Sequence, residues 1–180
     1  NTAFGFSALN ANTTADNNTA VGLCALKANT TGDLNTAVGL CAFSTQTTAR
    51  KNTGVGSKVG ASTTTGGSNV AMGQDSFRTN TTGSNNTAIG TLALFANTSA
   101  DNNTAVGFTS LCANTTGTNQ VAFGYEALSA NTTGNYNNAF GLQALRCNTT
   151  AAHNTALGNS AMKLNTTGCC NVAVGNNALF

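Results

Sequence analysis

A glycine recurs every seventeen residues along this chain of 180 residues, and no insertion interrupts the spacing. A strict period of this length predicts a repeat array, in which each unit contacts only the units before and after it. The sequence therefore predicts a solenoid or a fibre. The recurring residues, predicted to form a structural corner, are Gly5, Gly22, Gly39, Gly56, Gly73, Gly90, Gly107, Gly124, Gly141, Gly158 and Gly175.

The period divides residues 1–180 into one array of ten complete units and a partial unit, 171–180. We number the positions of a unit from one to seventeen, so that the recurring glycine is position five. Position four is always large and apolar, and position nine is Leu, Phe or Met except at Gly60. Because terminal capping units are missing from the pattern, we expect the array to be a segment of a longer fibre.

The residue types within a unit favour strands over helices. Positions two to five and seven to ten are too short for helices and suit two brief strands, and no apolar stripe of helical spacing is present. The glycine at position five predicts a tight corner, and Asn-Thr-Thr-Gly predicts a second turn. We therefore expect an all-β parallel solenoid whose coils stack at ~4.8 Å.

The first strand carries the two residues that decide what lies inside a coil. Positions three and four are neighbours, so their side chains should point to opposite faces. If the large residue of position four fills the interior, the alanine column of position three lies outside and permits close approach of another chain. The alternative is that these small residues simply occupy corners.

One unit departs from the pattern. Residues 52–68 carry Val59-Gly60 and Thr63-Thr64-Thr65 where other units carry Ala-Leu and Asn-Thr-Thr. The change predicts either a bend or a weak point in the array.

Charge and composition argue against several functions. The chain has seven basic and five acidic residues and a net charge of +2, without a basic stripe, which argues against nucleic-acid binding. No apolar stretch is long enough to predict membrane insertion. The single histidine, His153, lies on a variable position, the acids are dispersed, and no glycine motif for phosphate is present. We therefore expect no enzyme, no cofactor and no metal site.

The six cysteines match no zinc or haem spacing. Cys24 and Cys41 occupy position seven of adjacent units, so they should stack one coil apart, either as a disulfide or as two free thiols. Cys169 and Cys170 fall on a variable turn, where they are placed to link chains.

The repeated Asn-Thr-Thr segment has three interpretations. Stacked asparagine amides can form a hydrogen-bonded ladder, as in cross-β assemblies. The same asparagines begin Asn-x-Ser/Thr sequons, which predict glycosylation on an exposed edge in a eukaryotic secretory pathway. Ranked threonines are also typical of ice-binding solenoids. The candidate glycosylation sites are Asn12, Asn29, Asn80, Asn97, Asn114, Asn131, Asn148 and Asn165, with further sequons at Asn17, Asn85 and Asn102.

The segment Asn-Thr/Val-Ala-Val/Ile-Gly-x-x-Ala resembles the head repeat of trimeric autotransporter (YadA-type) adhesins, most closely at residues 69–76 and 171–178. The longer pattern, Asn-Thr-Ala-Val-Gly, Ala-Leu and Asn-Thr-Thr-Gly, is similar to arrays in phage and virus tail-fibre proteins. The resemblance implies a left-handed parallel β-roll, trimeric about the fibre axis, in a surface or virion filament used for attachment. The adhesin repeat is shorter in the Asn-Thr-Thr turn.

The sequence thus predicts a stiff structural shaft of a surface adhesin or viral tail fibre, located outside the cell or on a virion. The expected partners are further copies of the chain, in a homotrimer or an end-to-end filament, and a cell-surface receptor or glycan. A self-assembling extracellular filament, N-glycosylated at its sequons, is the alternative, and an ice-binding solenoid is the third.

Overall fold

The computed structural model describes all 180 residues and contains eleven strands and no helix. The strands form one parallel sheet in chain order, and each strand residue pairs with the residue seventeen positions later. The expected all-β parallel solenoid of seventeen-residue coils is therefore confirmed. The strands are β1 (Thr2–Phe4), β2 (Thr19–Val21), β3 (Thr36–Val38), β4 (Thr53–Val55), β5 (Val70–Met72), β6 (Thr87–Ile89), β7 (Thr104–Val106), β8 (Val121–Phe123), β9 (Asn138–Phe140), β10 (Thr155–Leu157) and β11 (Val172–Val174).

Hydrogen bonds between coils run through the turns as well as the strands. Of 118 backbone hydrogen bonds, only 20 lie within the strands. In the turns, the Leu26 N–H donates to the Ala42 carbonyl at 3.0 Å, and the Thr30 N–H donates to the Thr47 carbonyl at 2.9 Å. An inserted residue would break such bonds to the coils above and below. This explains why the unit length never varies.

The second strand expected in each coil is absent, because positions seven to ten form turns. Positions seven and nine adopt positive φ, as in Cys24 (57°) and Leu26 (48°). This conformation allows consecutive positions eight and nine to point inward together, and Ala25 and Leu26 are both fully buried. One signal for it was in the sequence: position nine never holds a β-branched residue, and such residues disfavour positive φ.

Position five requires glycine for two reasons. All eleven glycines of this column have φ between +117° and +143°, a region that L side chains rarely adopt. A Cβ on Gly56 would also lie 2.7 Å from the carbonyl oxygen of Gly73 in the next coil. The coils can therefore stack closely at this corner only if the column has no side chains.

The expected orientation of the first strand is wrong. Alanines of position three, such as Ala20, are completely buried, whereas the large residues of position four, such as Phe123 at 53 % exposure, face outward. The interior is already filled by the side chains of position nine. A Cβ on Gly54, at position three, would lie 3.0 Å from Phe43 Cδ2 and from Val59 Cγ1. Only a small residue fits there.

The irregular coil, residues 52–68, is packed around one large neighbour. Phe43 lies at position nine of the preceding coil and is fully buried. A Cβ on Gly60 would lie 2.5 Å from Phe43 Cδ1, and one on Gly54 would lie 2.5 Å from Phe43 Cε2. Two glycines therefore compensate for one phenylalanine. The φ of Gly60 is +54°, close to that of the leucines at position nine, so the ring and not the backbone excludes a side chain.

This packing predicts a compensating pair of substitutions. Gly60→Leu should lower the free energy of unfolding by about 2–3 kcal/mol through overpacking, and Phe43→Leu should lower it by about 1 kcal/mol. The double variant restores leucine at both positions and should recover most of the loss. Denaturant unfolding of the four proteins measures the coupling, and simple additivity of the two losses would contradict this account.

Candidate functional site

Two columns of asparagine amides run through the interior, at positions one and twelve. In residues 18–34, Asn18 Nδ2 and Asn29 Nδ2 both donate to the Gly32 carbonyl oxygen at 2.9 Å, so one carbonyl of position fifteen joins two sides of the coil. Asn18 Oδ1 accepts from the backbone N–H of Asn35 in the next coil at 2.9 Å. The amides therefore close each coil and also connect it to the next.

The position-twelve amides form the expected asparagine ladder. Asn97 Nδ2 donates to Asn80 Oδ1 at 2.9 Å and to the Ala100 carbonyl at 3.2 Å. Asn97 Oδ1 in turn accepts from Asn114 Nδ2 at 3.3 Å. Further along the column, Asn148 Nδ2 donates to Asn131 Oδ1 at 2.9 Å in the same way. Since the amides are unreachable by solvent in the inner coils, this column is a structural element.

The expectation that these sequons lie on an exposed edge is wrong for most of this column. Six of the candidate acceptors are fully buried, and Asn12 and Asn165 are half-buried. A glycan on Nδ2 would replace an amide hydrogen that lies inside the coil. The buried six are Asn29, Asn80, Asn97, Asn114, Asn131 and Asn148. In contrast, Asn17, Asn85 and Asn102, at position seventeen, are exposed.

The asparagine ladder predicts a large cost for one side chain. Asn97→Ala removes the two N–H groups that bond to Asn80 Oδ1 and to the Ala100 carbonyl, and it removes the oxygen that accepts from Asn114. Because these buried groups lose a partner, the substitution should lower the free energy of unfolding by about 2–3 kcal/mol. Asn159→Ala, at an exposed asparagine of position six, is the control and should stay within about 0.5 kcal/mol of the parent. Equal effects in denaturant unfolding would show that the ladder contributes little.

The sequons predict a distribution of glycans. Folded material secreted from a eukaryotic host should carry any N-linked glycans on Asn17, Asn85 and Asn102 and on none of the six buried asparagines. Glycopeptide mass spectrometry measures this directly. A glycan found on Asn97 in folded protein would contradict the packing described above.

The threonines of position thirteen are used for stacking between coils. The Thr64 hydroxyl donates to the Thr81 carbonyl at 3.0 Å, and the Thr81 hydroxyl donates to the Thr98 carbonyl at 2.9 Å. The rank proposed as an ice-binding surface therefore uses its hydroxyl protons internally. This arrangement lends the ice-binding interpretation no support.

The cysteines are free thiols in this structure. Cys24 and Cys41 stack in adjacent coils, as the sequence predicted. In-register parallel stacking separates equivalent Cβ atoms by the coil repeat of ~4.8 Å, which exceeds the about 3.5–4.5 Å found across disulfides. A bond between them would therefore need a local shift. Elsewhere, burial raises the pKa of the Cys112 thiol. The pKa of Cys170 is raised by the hydrogen bond that its thiol donates to Cys169 and by the negative charge of the Cys169 thiolate.

No group of three or more His, Cys, Asp or Glu side chains could hold a metal ion. His153 is exposed and stacks on Tyr136, with ring centroids 4.9 Å apart. Three of the five acidic side chains take part in ion pairs near the surface: Asp33 with Arg50, Asp75 with Arg78, and Glu126 with Arg146. Pairs of this kind contribute at most about 1 kcal/mol each.

The most distinctive surface is the outward side of the sheet, which we call the apolar face. It consists of positions two, four and six of every coil. Position two is Thr or Val in all but one coil, position four is always large and apolar, and position six is apolar in about half of the coils. No acidic or basic residue occurs at these three positions. Every charged residue of the chain lies at position seven, ten, sixteen or seventeen. Contiguous exposed apolar patches are typical of interaction surfaces.

Aromatic rings are stacked along the apolar face. Phe108 and Tyr125, at position six of adjacent coils, have centroids 5.5 Å apart and planes 15° apart, and Phe123 and Phe140, at position four, lie 6.5 Å apart. In each pair, one face of each ring lies toward the other ring. Aromatic side chains contribute much of the energy of protein cores and interfaces.

Comparisons with known proteins find no matching family model, no matching curated protein and no matching solved structure. The protein contains no helix that is long and apolar enough to span a membrane.

Proposed function

We propose that this chain is a structural rod that associates side by side with copies of itself through the apolar face. The observation that supports this proposal is that the face is uncharged along all eleven strands and carries a large apolar residue at position four of every one, although it points outward. Burial of apolar area is the main driving force of protein association. A shaft that bears load needs such lateral support, because a single coil has a narrow core.

The axial period of the face supports a second copy of the chain as its partner. The outward residues repeat once per coil, at ~4.8 Å. Only a partner with the same period can make equivalent contacts with every coil, and a second parallel copy of this chain has that period by construction. A heterologous globular protein would match a few coils at most. The repeated contact therefore favours self-association over a receptor as the partner of this face.

The repeat pattern resembles that of one class of proteins. Its resemblance to YadA-type head repeats and to tail-fibre arrays supports a shaft segment of a surface adhesin or viral tail fibre, outside the cell or on a virion. A homotrimer is the assembly that the resemblance implies. The residues available to line such an interface are the large side chains of position four, in place of the alanines of position three suggested by the sequence.

Self-association through this face predicts the effect of a buried charge. The double variant Val106→Asp, Phe123→Asp should raise the dissociation constant at least tenfold, because an unpaired carboxylate in an apolar interface costs more than ~1.4 kcal/mol. Its fold should persist, since both side chains point outward. Sedimentation equilibrium measures the association, and circular dichroism checks the fold.

The matched control is Cys112→Asp, Ser129→Asp, which places two charges at position ten of the same two coils, away from the apolar face. This control should associate like the parent. A parent protein that sediments as a single chain at high concentration would overturn the proposal, and open-ended polymers would favour the filament instead.

A further inference from the structure

Cys24 and Cys41 form a pair of stacked thiols at position seven of coils two and three. Both residues adopt positive φ, 57° and 52°, and the strands of their coils pair in register, so the two side chains leave the backbone in the same direction. The Cys41 N–H donates to the Leu23 carbonyl at 2.8 Å, which holds the two turns together. Equivalent atoms of the two cysteines therefore lie one coil repeat, ~4.8 Å, apart.

Both thiols border the same groove on the surface of the rod. Each cysteine is half-buried, and Ala11, Ala28 and Lys27 line the groove beside them. The alanines leave space next to the thiols, because they carry no atoms beyond Cβ. A small ion can therefore reach both sulfur atoms from the solvent.

The spacing of this thiol pair suits a bridging metal ion better than a disulfide. A disulfide requires the two sulfur atoms to approach to about 2.05 Å. A metal ion between two thiolates requires instead the length of two metal–sulfur bonds, and one such bond is about 2.3 Å for zinc. Two bonds in a line span about 4.6 Å. Two stacked thiols with the same rotamer are separated by nearly this distance, since the coil repeat is ~4.8 Å.

The ion that matches two thiolates in a line is Cu(I). Zinc takes four ligands in a tetrahedron, and no group of three or more ligating side chains is present. Thiolates are soft ligands that select Cu(I). With its filled d shell, this ion forms linear complexes with only two ligands. The thiol pair therefore supplies a complete ligand set for Cu(I) and an incomplete one for zinc.

Two lysines lie next to the thiol pair. Lys58 is position seven of the following coil and has a φ of 55°, so it continues the column of Cys24 and Cys41. Lys27 lines the groove itself. Neither lysine takes part in a salt bridge. Cu(I) with two thiolates carries one net negative charge, which the two ammonium groups are placed to balance.

We propose that Cys24 and Cys41 bind one Cu(I) ion as a linear bis-thiolate complex. On binding, each thiol releases its proton to water, two copper–sulfur bonds form, and copper keeps its oxidation state. A linear site needs only two ligands, so the zinc and haem spacings behind the expectation of no metal site do not apply to it. The site is independent of the proposed function, because position seven lies outside the apolar face.

Copper binding is measured by titrating the reduced protein with Cu(I) in competition with the chelator bicinchoninic acid under nitrogen. The variant Cys169→Ser, Cys170→Ser removes the adjacent exposed thiols and should still bind one Cu(I) per chain. In this background, Cys24→Ser or Cys41→Ser should abolish the binding, whereas the control Cys112→Ser should leave it unchanged. X-ray absorption should show two sulfur neighbours and the intense pre-edge feature of linear Cu(I).

Two further variants in the same background test the coil spacing itself. Cys41→Ser with Ser7→Cys rebuilds a pair in adjacent coils and should bind Cu(I) again. Cys41→Ser with Lys58→Cys places the two thiols two coils, ~9.6 Å, apart and should not bind it. Circular dichroism checks that each variant folds like the parent.

Three results would overturn the proposal. Copper binding that neither Cys24→Ser nor Cys41→Ser reduces would show that the pair is not the site. Three or more sulfur neighbours in X-ray absorption would place the copper at another set of thiols or between chains. A disulfide between Cys24 and Cys41 in the peptide map of protein purified in air would show that the coil repeat does not keep the two sulfur atoms apart.

Discussion

Each regular coil of this rod is closed by one backbone carbonyl, at position fifteen, that accepts hydrogen bonds from two buried asparagine amides. One amide comes from the start of the coil and the other from the Asn-Thr-Thr turn, so the bonds hold fixed the distance across the interior. The amides also bond to the coils above and below, and a buried polar group without such partners would be costly. The seventeen-residue length follows, because each position must meet its own equivalent in the next coil.

The narrow interior explains why the rod has an apolar outside. The position-nine side chain and the two asparagines fill the interior, which leaves room only for alanine or glycine at position three. The adjacent position four must then point away from the interior. A large apolar residue repeated there contributes little to the folding of a single chain, and it becomes useful when a second copy covers it. The same geometry thus connects the closure of the coil to the proposed lateral association.

The exceptions in the pattern follow from the same packing. The Phe43 ring occupies the space that the next coil leaves by carrying Gly54 and Gly60, so the interior of the irregular coil is filled. The strand of this coil, β4, stays in register with β3. Gln120 replaces asparagine at position one and donates to Asn114 Oδ1, but its own Oε1 is buried without a partner, as is Thr63 Oγ1. Asn12 Oδ1, in the first coil, also lacks a partner, so the two columns are least well satisfied at these three sites.

The sequence by itself determined the coil length, the parallel in-register stacking, the glycine corner and the asparagine ladder. Each of these depends on contacts between equivalent positions of successive coils. A strict repeat shows which positions are equivalent, so these contacts can be predicted from the sequence. The sequence did not determine which of positions three and four is inside, whether positions seven to ten are extended, or whether sequons such as Asn97 are accessible. Those outcomes depend on the space left inside a closed coil and on the sign of φ at residues such as Leu26, and only the tertiary structure, in which all seventeen positions compete for one narrow interior, decided them.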